Sequence, residues 1–154
     1  MSNVEGIVKL LNVSALNAEN YSLNNRNKTM SKEKTFDLED RLINFAVRII
    51  RIAESLPKSK VGKHIAGQII RSGTSPAPNY GEAQSAESRS DFIHKMKICL
   101  KELRETRIWL LMIIKVNLIE PTSKLEPLID ENNQLISIFV SSIKTANQKK
   151  KKTS

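Results

Sequence analysis

Two rows of basic side chains are the residues of this sequence best suited to chemistry with a polyanion. One row follows the steps of four and three that place side chains on one helical face: Lys97, Lys101, Arg104 and Arg107. The other row has a compatible spacing: Arg41, Arg48 and Arg51. Lys and Arg in such rows bind phosphate groups and supply affinity without reading sequence. Alternatively, the rows only keep the protein soluble, helped by pairs such as Lys101 with Glu105.

The residue types that catalyse reactions or bind metals are few and scattered. His94 follows Asp91 by three residues, but carboxylate–histidine metal sites in helical bundles need matching motifs on two helices, and the other histidine is His64. Cys99 has no histidine within a helical turn, so a Cys–His nucleophile is not indicated. None of the glycines belongs to a Gly-Lys-Ser/Thr sequence of the kind that ends a phosphate-binding loop. The sequence therefore predicts no catalytic residue, no metal and no cofactor.

A third group of residues is polar and lies around two prolines, Pro76 and Pro78. Its members are Arg71, Ser72, Ser75, Asn79 and Glu82. Four of them step by four, four and three residues, so a continuous or mildly kinked helix aligns them on one stripe. The stripe is predicted to satisfy backbone groups freed by the prolines or to bridge to Glu102 or Glu105. Direct ligand binding by this stripe is the alternative.

These groups must be positioned by helices, because apolar residues recur at steps of four and three along most of the chain. The first helix has this seam: Leu38, Leu42, Phe45, Ile49, Ile52 and Leu56. Thr35 is the predicted N-cap, and Pro57 ends the helix. A second helix is predicted from about Ser59 to Thr74, with a kink or break near Pro76 and Pro78.

Two further helices complete the predicted architecture. Ser88 and Asp91 form a capping signature for the third helix, whose seam is Phe92, Met96, Cys99, Leu103, Thr106, Leu110 and Ile113. Ser123 and Glu126 form a capping box for the fourth, which carries Leu125, Leu128, Ile129, Leu135, Ile136, Phe139, Ile143 and Ala146. Four helices with short connections predict an all-α, antiparallel four-helix bundle.

The third helix is apolar on nearly every side between Ile108 and Ile114. One face of a bundle cannot cover such a segment, so a second subunit is the natural cover. Trp109 and Met112 are the residues predicted to lie in this interface. The sequence thus indicates a homo-oligomer.

Charge and composition divide the chain into three parts: a disordered Asn- and Ser-rich extension (residues 1–30), the bundle (31–146) and a basic tail (147–154). The net charge is +9, but residues 31–143 hold 17 basic and 14 acidic side chains, so much of the excess lies in the tail. A single cysteine, Cys99, fits a reducing compartment, and we expect a cytoplasmic protein. The longest apolar run, near residues 108–114, is too short to span a membrane.

The motif Arg71-Ser72-x-x-Ser75, with Asn79 and Glu82, resembles the signature of a family of bacterial four-helix bundle proteins. That family includes proteins encoded in intervening sequences of large-subunit ribosomal RNA genes. Stretches 36–42 and 91–111 resemble it too, and all three are similar to the accessory variability proteins of diversity-generating retroelements. Two prolines stand where the family usually has one, and Ala83 replaces a common glycine.

The resemblance covers about residues 36–146, and it implies a non-enzymatic bundle with a basic surface, often a ring of five subunits. In the retroelement relatives such a surface engages nucleic acid and a reverse transcriptase. The leading hypothesis is therefore a homo-oligomer, with a pentamer favoured, that binds RNA or DNA electrostatically as an accessory to a nucleic-acid enzyme. The alternative is a structural or protein-binding adaptor with no nucleic-acid role.

Overall fold

The computed structural model describes the backbone of residues 37–151 and the side chains of residues 37–148. Within these residues the chain is helical, without strands, and consists of α1 (Leu38–Ser55), α2 (Lys60–Thr74), α3 (Pro76–Gln84), α4 (Arg89–Lys115), a 3-10 turn (Thr122–Leu125) and α5 (Glu126–Lys151). Because α2 and α3 form one bent helix, the architecture is the predicted antiparallel four-helix bundle. The predicted extension, residues 1–30, lies outside the described residues.

The bend between α2 and α3 is mild. Ser75 joins the two segments with helical angles, φ −61° and ψ −35°, and the helix axis bends by 18°. Pro76 is tolerated because it stands at the first position of α3, where its missing N–H is least costly. Beyond the join, the backbone N–H of Asn79 donates to the carbonyl of Ser75 at 3.3 Å. The predicted kink is confirmed.

Helices α2 and α4, the second and third helices of the bundle, begin with side-chain N-caps at the positions where the sequence predicts the helices to start. Ser59 accepts a hydrogen bond from the N–H of Gly62, and Ser88 accepts one from the N–H of Asp91. The N-cap of α1 differs from the prediction: Asp37, and not Thr35, accepts from the N–H of Asp40. Aspartate ranks above threonine as an N-cap and adds negative charge at the positive end of the helix.

The start of α5 also differs from the predicted capping box. A 3-10 turn occupies residues 122–125, and in it the N–H of Glu126 donates to the carbonyl of Ser123. Leu125 in this turn is fully buried, so the turn packs against the core before α5 begins. The helix then continues to Lys151, beyond the bundle limit of 146 suggested by the sequence.

The core is filled by the seam residues, with aromatic side chains in the centre. Phe45, Phe92, Phe139 and Tyr80 are almost completely buried, and the rings of Tyr80 and Phe139 meet edge to face at 6.0 Å. Helices α1 and α2 approach closely at Gly73, where an added Cβ would lie 2.7 Å from a side-chain carbon of Ile49. No described helix is both long and apolar enough to cross a membrane.

Candidate nucleic-acid interface

The α4 stripe, defined as Lys97, Lys101 and Arg104, lies on the outward side of α4. All three residues are exposed, whereas Cys99 and Leu103 on the opposite side of the helix are buried in the core. Within the described side chains, none of the three takes part in a salt bridge. Their positive charges therefore face solvent together, although Lys101 adds to the lowering of the Glu105 pKa that the hydrogen bond from Arg71 dominates.

Arg107 continues the row but turns towards α5. It is half-buried, and its Nε donates to Oδ1 of Asn133 on α5 at 3.0 Å. Arg107 and Arg104 line an open groove between α4 and α5 with Ile108, Asn133 and Ile136, and its volume is about 410 Å³. We call this the α4–α5 groove. It places two guanidinium groups and an amide beside two apolar side chains.

A second groove follows the same helix pair towards the start of α4. It has a volume of about 250 Å³ and is lined by Arg89, Ser90, Ile93, Lys97 and Asn147. Arg89, Asn133 and Asn147 were not among the predicted site residues. The sequence did contain a signal for Asn133. In an antiparallel helical hairpin, residues that are equally distant from the centre of the loop face each other. Arg107 and Asn133 are equally distant from Glu120, which lies in that loop.

The arginines of α1 do not extend the α4 stripe. Nε of Arg41 lies 2.6 Å from Oε1 of Glu131, and its guanidinium also donates to Gln134 at 2.6 Å. Only 16% of the Arg41 side chain is exposed, so it ties α1 to α5. Arg48 is half-buried, and Arg51 is exposed on α1.

Helix α5 separates Arg41 from the α4–α5 groove. At about 100° per residue, positions 131 and 134, which contact Arg41, lie roughly opposite positions 133 and 136, which line the groove. Arg41 and the groove therefore lie on different sides of α5. The geometry gives the α4 stripe and Arg107 a common surface, and it excludes Arg41 from that surface.

The polar stripe around the bend joins neighbouring helices. Arg71 forms salt bridges with Glu102, at 3.2 Å, and with Glu105, so the predicted bridge to α4 is confirmed. Glu82 pairs with Lys95 at 2.5 Å, and Ser72 accepts a hydrogen bond from the Thr106 hydroxyl at 3.0 Å in the core.

Asn79 plays a local part in this stripe. Its side-chain Nδ2 donates to the Ser75 carbonyl at 2.9 Å and to the Ser75 hydroxyl at 3.0 Å. The carbonyls that lose a donor to Pro76 and Pro78 belong to residues four positions earlier, so the amide does not replace those bonds. It reinforces the join between α2 and α3 instead.

The ion pairs leave a clear electrostatic signature. The hydrogen bond from Arg71 lowers the pKa of Glu105 below its usual value, and the bond to Glu105 raises the pKa of Arg71. Likewise, the hydrogen bond to Glu82 raises the pKa of Lys95. Each member of these pairs favours the charged form of its partner, which indicates a structural role for this side of α4.

The two residues predicted for an oligomer interface differ in exposure. Trp109 is half-buried: its ring meets His64 of α2 edge to face at 6.1 Å, and its Nε1 donates to Glu105 at 3.3 Å. Met112 and Ile108 face outwards and are 41% and 48% exposed. Val61, one turn before His64, and Val116 are exposed at the same end of the bundle. Met112 and Val116 are one helical turn apart on α4, and with the exposed Val61 we call them the apolar patch beside Trp109.

Cys99 is buried and its surroundings make it unreactive. Burial raises the pKa of its thiol to about 12, and its S–H donates to the carbonyl of Pro76 at 3.4 Å. A nucleophilic cysteine needs the opposite, a lowered pKa. The described residues also contain no cluster of three or more His, Cys, Asp or Glu side chains that could hold a metal ion.

These features define an all-α bundle with an exposed row of basic side chains on α4. Residues 34–141 match the family described as 23S rRNA-intervening sequence protein, and the chain belongs to that family. It is also similar to a crystal structure of a protein with unknown function from the S23 ribosomal protein family of Bacteroides thetaiotaomicron. The two chains are 35% identical with a TM-score of 0.65, and the match covers 70% of this chain and 99% of the other. No curated protein shows significant similarity.

Proposed function

We propose that this protein is a non-enzymatic, homo-oligomeric bundle that binds RNA or DNA phosphates through the outward surface of α4. The observation that carries the proposal is the α4 stripe: Lys97, Lys101 and Arg104 are exposed and form no salt bridge with a described side chain. The acidic residues nearest to them on the helix face α2 and are already paired with Arg71. The name of the matching family, which refers to 23S rRNA, is consistent with a nucleic-acid partner.

Assembly strengthens weak phosphate contacts. A ring of subunits would repeat the α4 stripe around its surface, and binding at one subunit raises the effective concentration for the next. The apolar patch beside Trp109 supports such an assembly, and the resemblance noted above favours five subunits. In this proposal the oligomer is cytoplasmic and presents the nucleic acid to an enzyme such as a reverse transcriptase.

The test is charge reversal in the full chain. Lys97→Glu with Lys101→Glu should weaken binding to unrelated RNA and DNA sequences by similar factors, because phosphate contacts do not read sequence. The slope of log affinity against log salt should fall by about 1.5, since each lost contact removes about 0.7–0.9. Fluorescence anisotropy across a salt series measures both quantities.

Two controls make this result specific to the surface. Lys60→Glu with Lys63→Glu causes the same change in net charge on exposed positions of α2, and it should affect binding much less. Deletion of residues 149–152 removes the four consecutive lysines near the end of the chain. If this deletion alone abolishes binding while the α4 reversal has no effect, the proposal is wrong.

The second candidate function is a protein-binding adaptor, and the apolar patch is the observation that favours it. An apolar protein interface responds little to salt, whereas phosphate contacts weaken steeply as salt increases. An adaptor would therefore show no nucleic-acid affinity at low salt and would keep its partner at high salt. The same salt series separates the two functions.

A further inference from the structure

The α4–α5 groove has a composition that phosphate binding alone does not require. Two of its five lining residues are isoleucines, Ile108 and Ile136, and nearly half of Ile108 is exposed. The other three are Arg104, Arg107 and Asn133, so no acidic side chain lines the groove. Because Arg104 also belongs to the α4 stripe, the groove opens directly beside the proposed phosphate contacts.

The polar edge of the groove consists of hydrogen-bond donors. A guanidinium group can only donate, so the contact of Arg107 Nε with Asn133 at 3.0 Å fixes Oδ1 as the acceptor. The Nδ2 of Asn133, which carries two donors, then points away from Arg107. Both the amide and the arginines offer N–H groups to whatever enters the groove.

A ligand for this groove needs a flat apolar face, hydrogen-bond acceptors at its edge and a neighbouring negative charge. Inorganic phosphate lacks the apolar face. A base within an RNA duplex has its faces covered by stacking, and its major-groove edge lies in a deep, narrow groove that side chains cannot read. An unpaired base has an accessible face, an accessible edge and an attached phosphate, which is how single strands are usually recognised.

We propose that the α4–α5 groove binds an unpaired base of single-stranded nucleic acid, with Ile108 and Ile136 against the ring and Asn133 and Arg107 at its edge. The proposal rests on the proposed function, because the adjoining phosphate is held by Arg104 of the α4 stripe. It adds that binding is selective for single strands and for particular bases.

The edge offers mainly donors, since Oδ1 of Asn133 already accepts from Arg107, and this predicts which base is preferred. Guanine presents two adjacent acceptors, O6 and N7, whereas adenine presents one acceptor and one donor at the equivalent positions. The groove is open, so we expect the lower end of the usual discrimination. A strand with unpaired guanines should bind about 5-fold more tightly than the matched strand with adenines.

The experiment uses the full chain and labelled 12-nucleotide RNA probes. One probe carries isolated guanines in a uridine context, the second carries adenines at the same positions, and the third is a duplex of equal length. Electrostatics alone favours the duplex, whose charge density and salt slope are greater. Tighter binding of the guanine strand than of both other probes therefore reports contact with the bases.

Substitutions in the groove identify where that contact is made. Asn133→Leu removes the amide donors at an exposed helical position, and it should reduce the guanine-to-adenine ratio to about 1. Ile108→Ala should weaken single strands while leaving the duplex unchanged. Val140→Ala is the matched control, because Val140 is also exposed but does not line the groove.

The outcomes separate this inference from the proposed function. If Lys97→Glu with Lys101→Glu weakens every probe while Asn133→Leu and Ile108→Ala change no ratio, the phosphate surface stands and the base site is wrong. Equal affinity of the parent for all three probes also overturns the base site. If the parent binds no probe at low salt, both proposals fall.

Discussion

The two sides of α4 carry charged residues with different surroundings. On the side against α2 and α3, Glu102, Glu105 and Lys95 each lie within salt-bridge distance of an opposite charge on the neighbouring helix. On the outward side, Lys97 and Arg104 have no such partner among the described side chains. The difference shows that charge spacing along one helix does not reveal function. The facing helix decides which charges are neutralised and which remain available to a ligand.

The same comparison holds for the apolar residues near the end of α4. Leu110 and Ile113 are completely buried in the core, whereas Ile108 and Met112 are exposed. All four lie in the run whose apolar character predicted a subunit interface. The buried pair is already covered within the protomer, and Ile108 lines the α4–α5 groove. Met112 is therefore the residue of the four that can make that interface.

The largest expected effect tests this division of the apolar run. Ile113→Ala removes buried methyl groups from a fully packed position, and it should lower the free energy of unfolding by about 2–5 kcal/mol. Met112→Ala should change protomer stability by less than about 0.5 kcal/mol, but it should weaken self-association at least about 5-fold if Met112 anchors the interface. Urea unfolding at fixed protein concentration and sedimentation equilibrium measure the two effects.

Fixed concentration matters because oligomer dissociation and unfolding are coupled. A parent protein that sediments as a monomer at tens of micromolar would contradict the oligomer. Equal loss of stability in both variants would contradict the assignment of Met112 to the outward side. Trp109 fluorescence should report unfolding, because unfolding breaks the contact of its ring with His64 within the protomer.

The sequence predicted the helices well because burial repeats every three to four residues. The seams of α1 and α4 follow the predicted residues, including the polar Thr106 and the free Cys99. The buried Asn132 of α5 was missed: its Nδ2 donates to the Leu103 carbonyl, a partner on another helix that no local pattern reveals. An apolar pattern predicts what faces the core, but it gives no sign of a polar side chain that forms a hydrogen bond across it.

The candidate surface was predicted only in part, for a related reason. Spacing grouped Lys97, Lys101 and Arg104, which are exposed on one side of α4, and their binding of nucleic acid stays a prediction. It could not exclude Arg41, whose partners Glu131 and Gln134 lie far along the chain. The relative rotation of helices, which sets such contacts, depends on packing between side chains.

Alkaline pH should produce the next largest effect, and it should act on the core and not on the outward side of α4. Burial raises the pKa of Cys99 from 9.0 to about 12 and that of Tyr80 from 10.0 to about 12. The unfolded chain releases these protons at lower pH than the native protein does. Stability should therefore be complete below about pH 8 and fall as the pH rises towards 12, by about 3 kcal/mol at pH 10.5.

Urea unfolding between pH 8 and pH 10.5 measures this loss. Cys99→Ala should remove most of the slope, because its unfolded pKa is the first to be crossed, and Tyr80→Phe should remove part of the remainder. Arg104→Ala is the matched variant on the outward side and should keep the full slope. A stability that is constant over this range would show that neither buried group is protected from ionisation in the native state.

The smallest expected effect comes from a comparison of two arginines. Arg71 of α2 pairs with the side of α4 that faces α2, and Arg104 lies on the outward side of α4. Arg71→Ala leaves Glu102, which is mostly buried, without its cation, so the protein should lose stability. Because the Arg71 side chain is itself half-exposed, solvent screens the pair and the fall in Tm should be only about 3 °C. Arg104→Ala should leave Tm within about 1 °C, because Arg104 has no described ion-pair partner to lose.

Nucleic-acid affinity should show the reverse order when both variants are measured well below their melting temperatures. A variant at Arg71 that melts like the parent but loses nucleic-acid binding would reverse the assignment of the two sides.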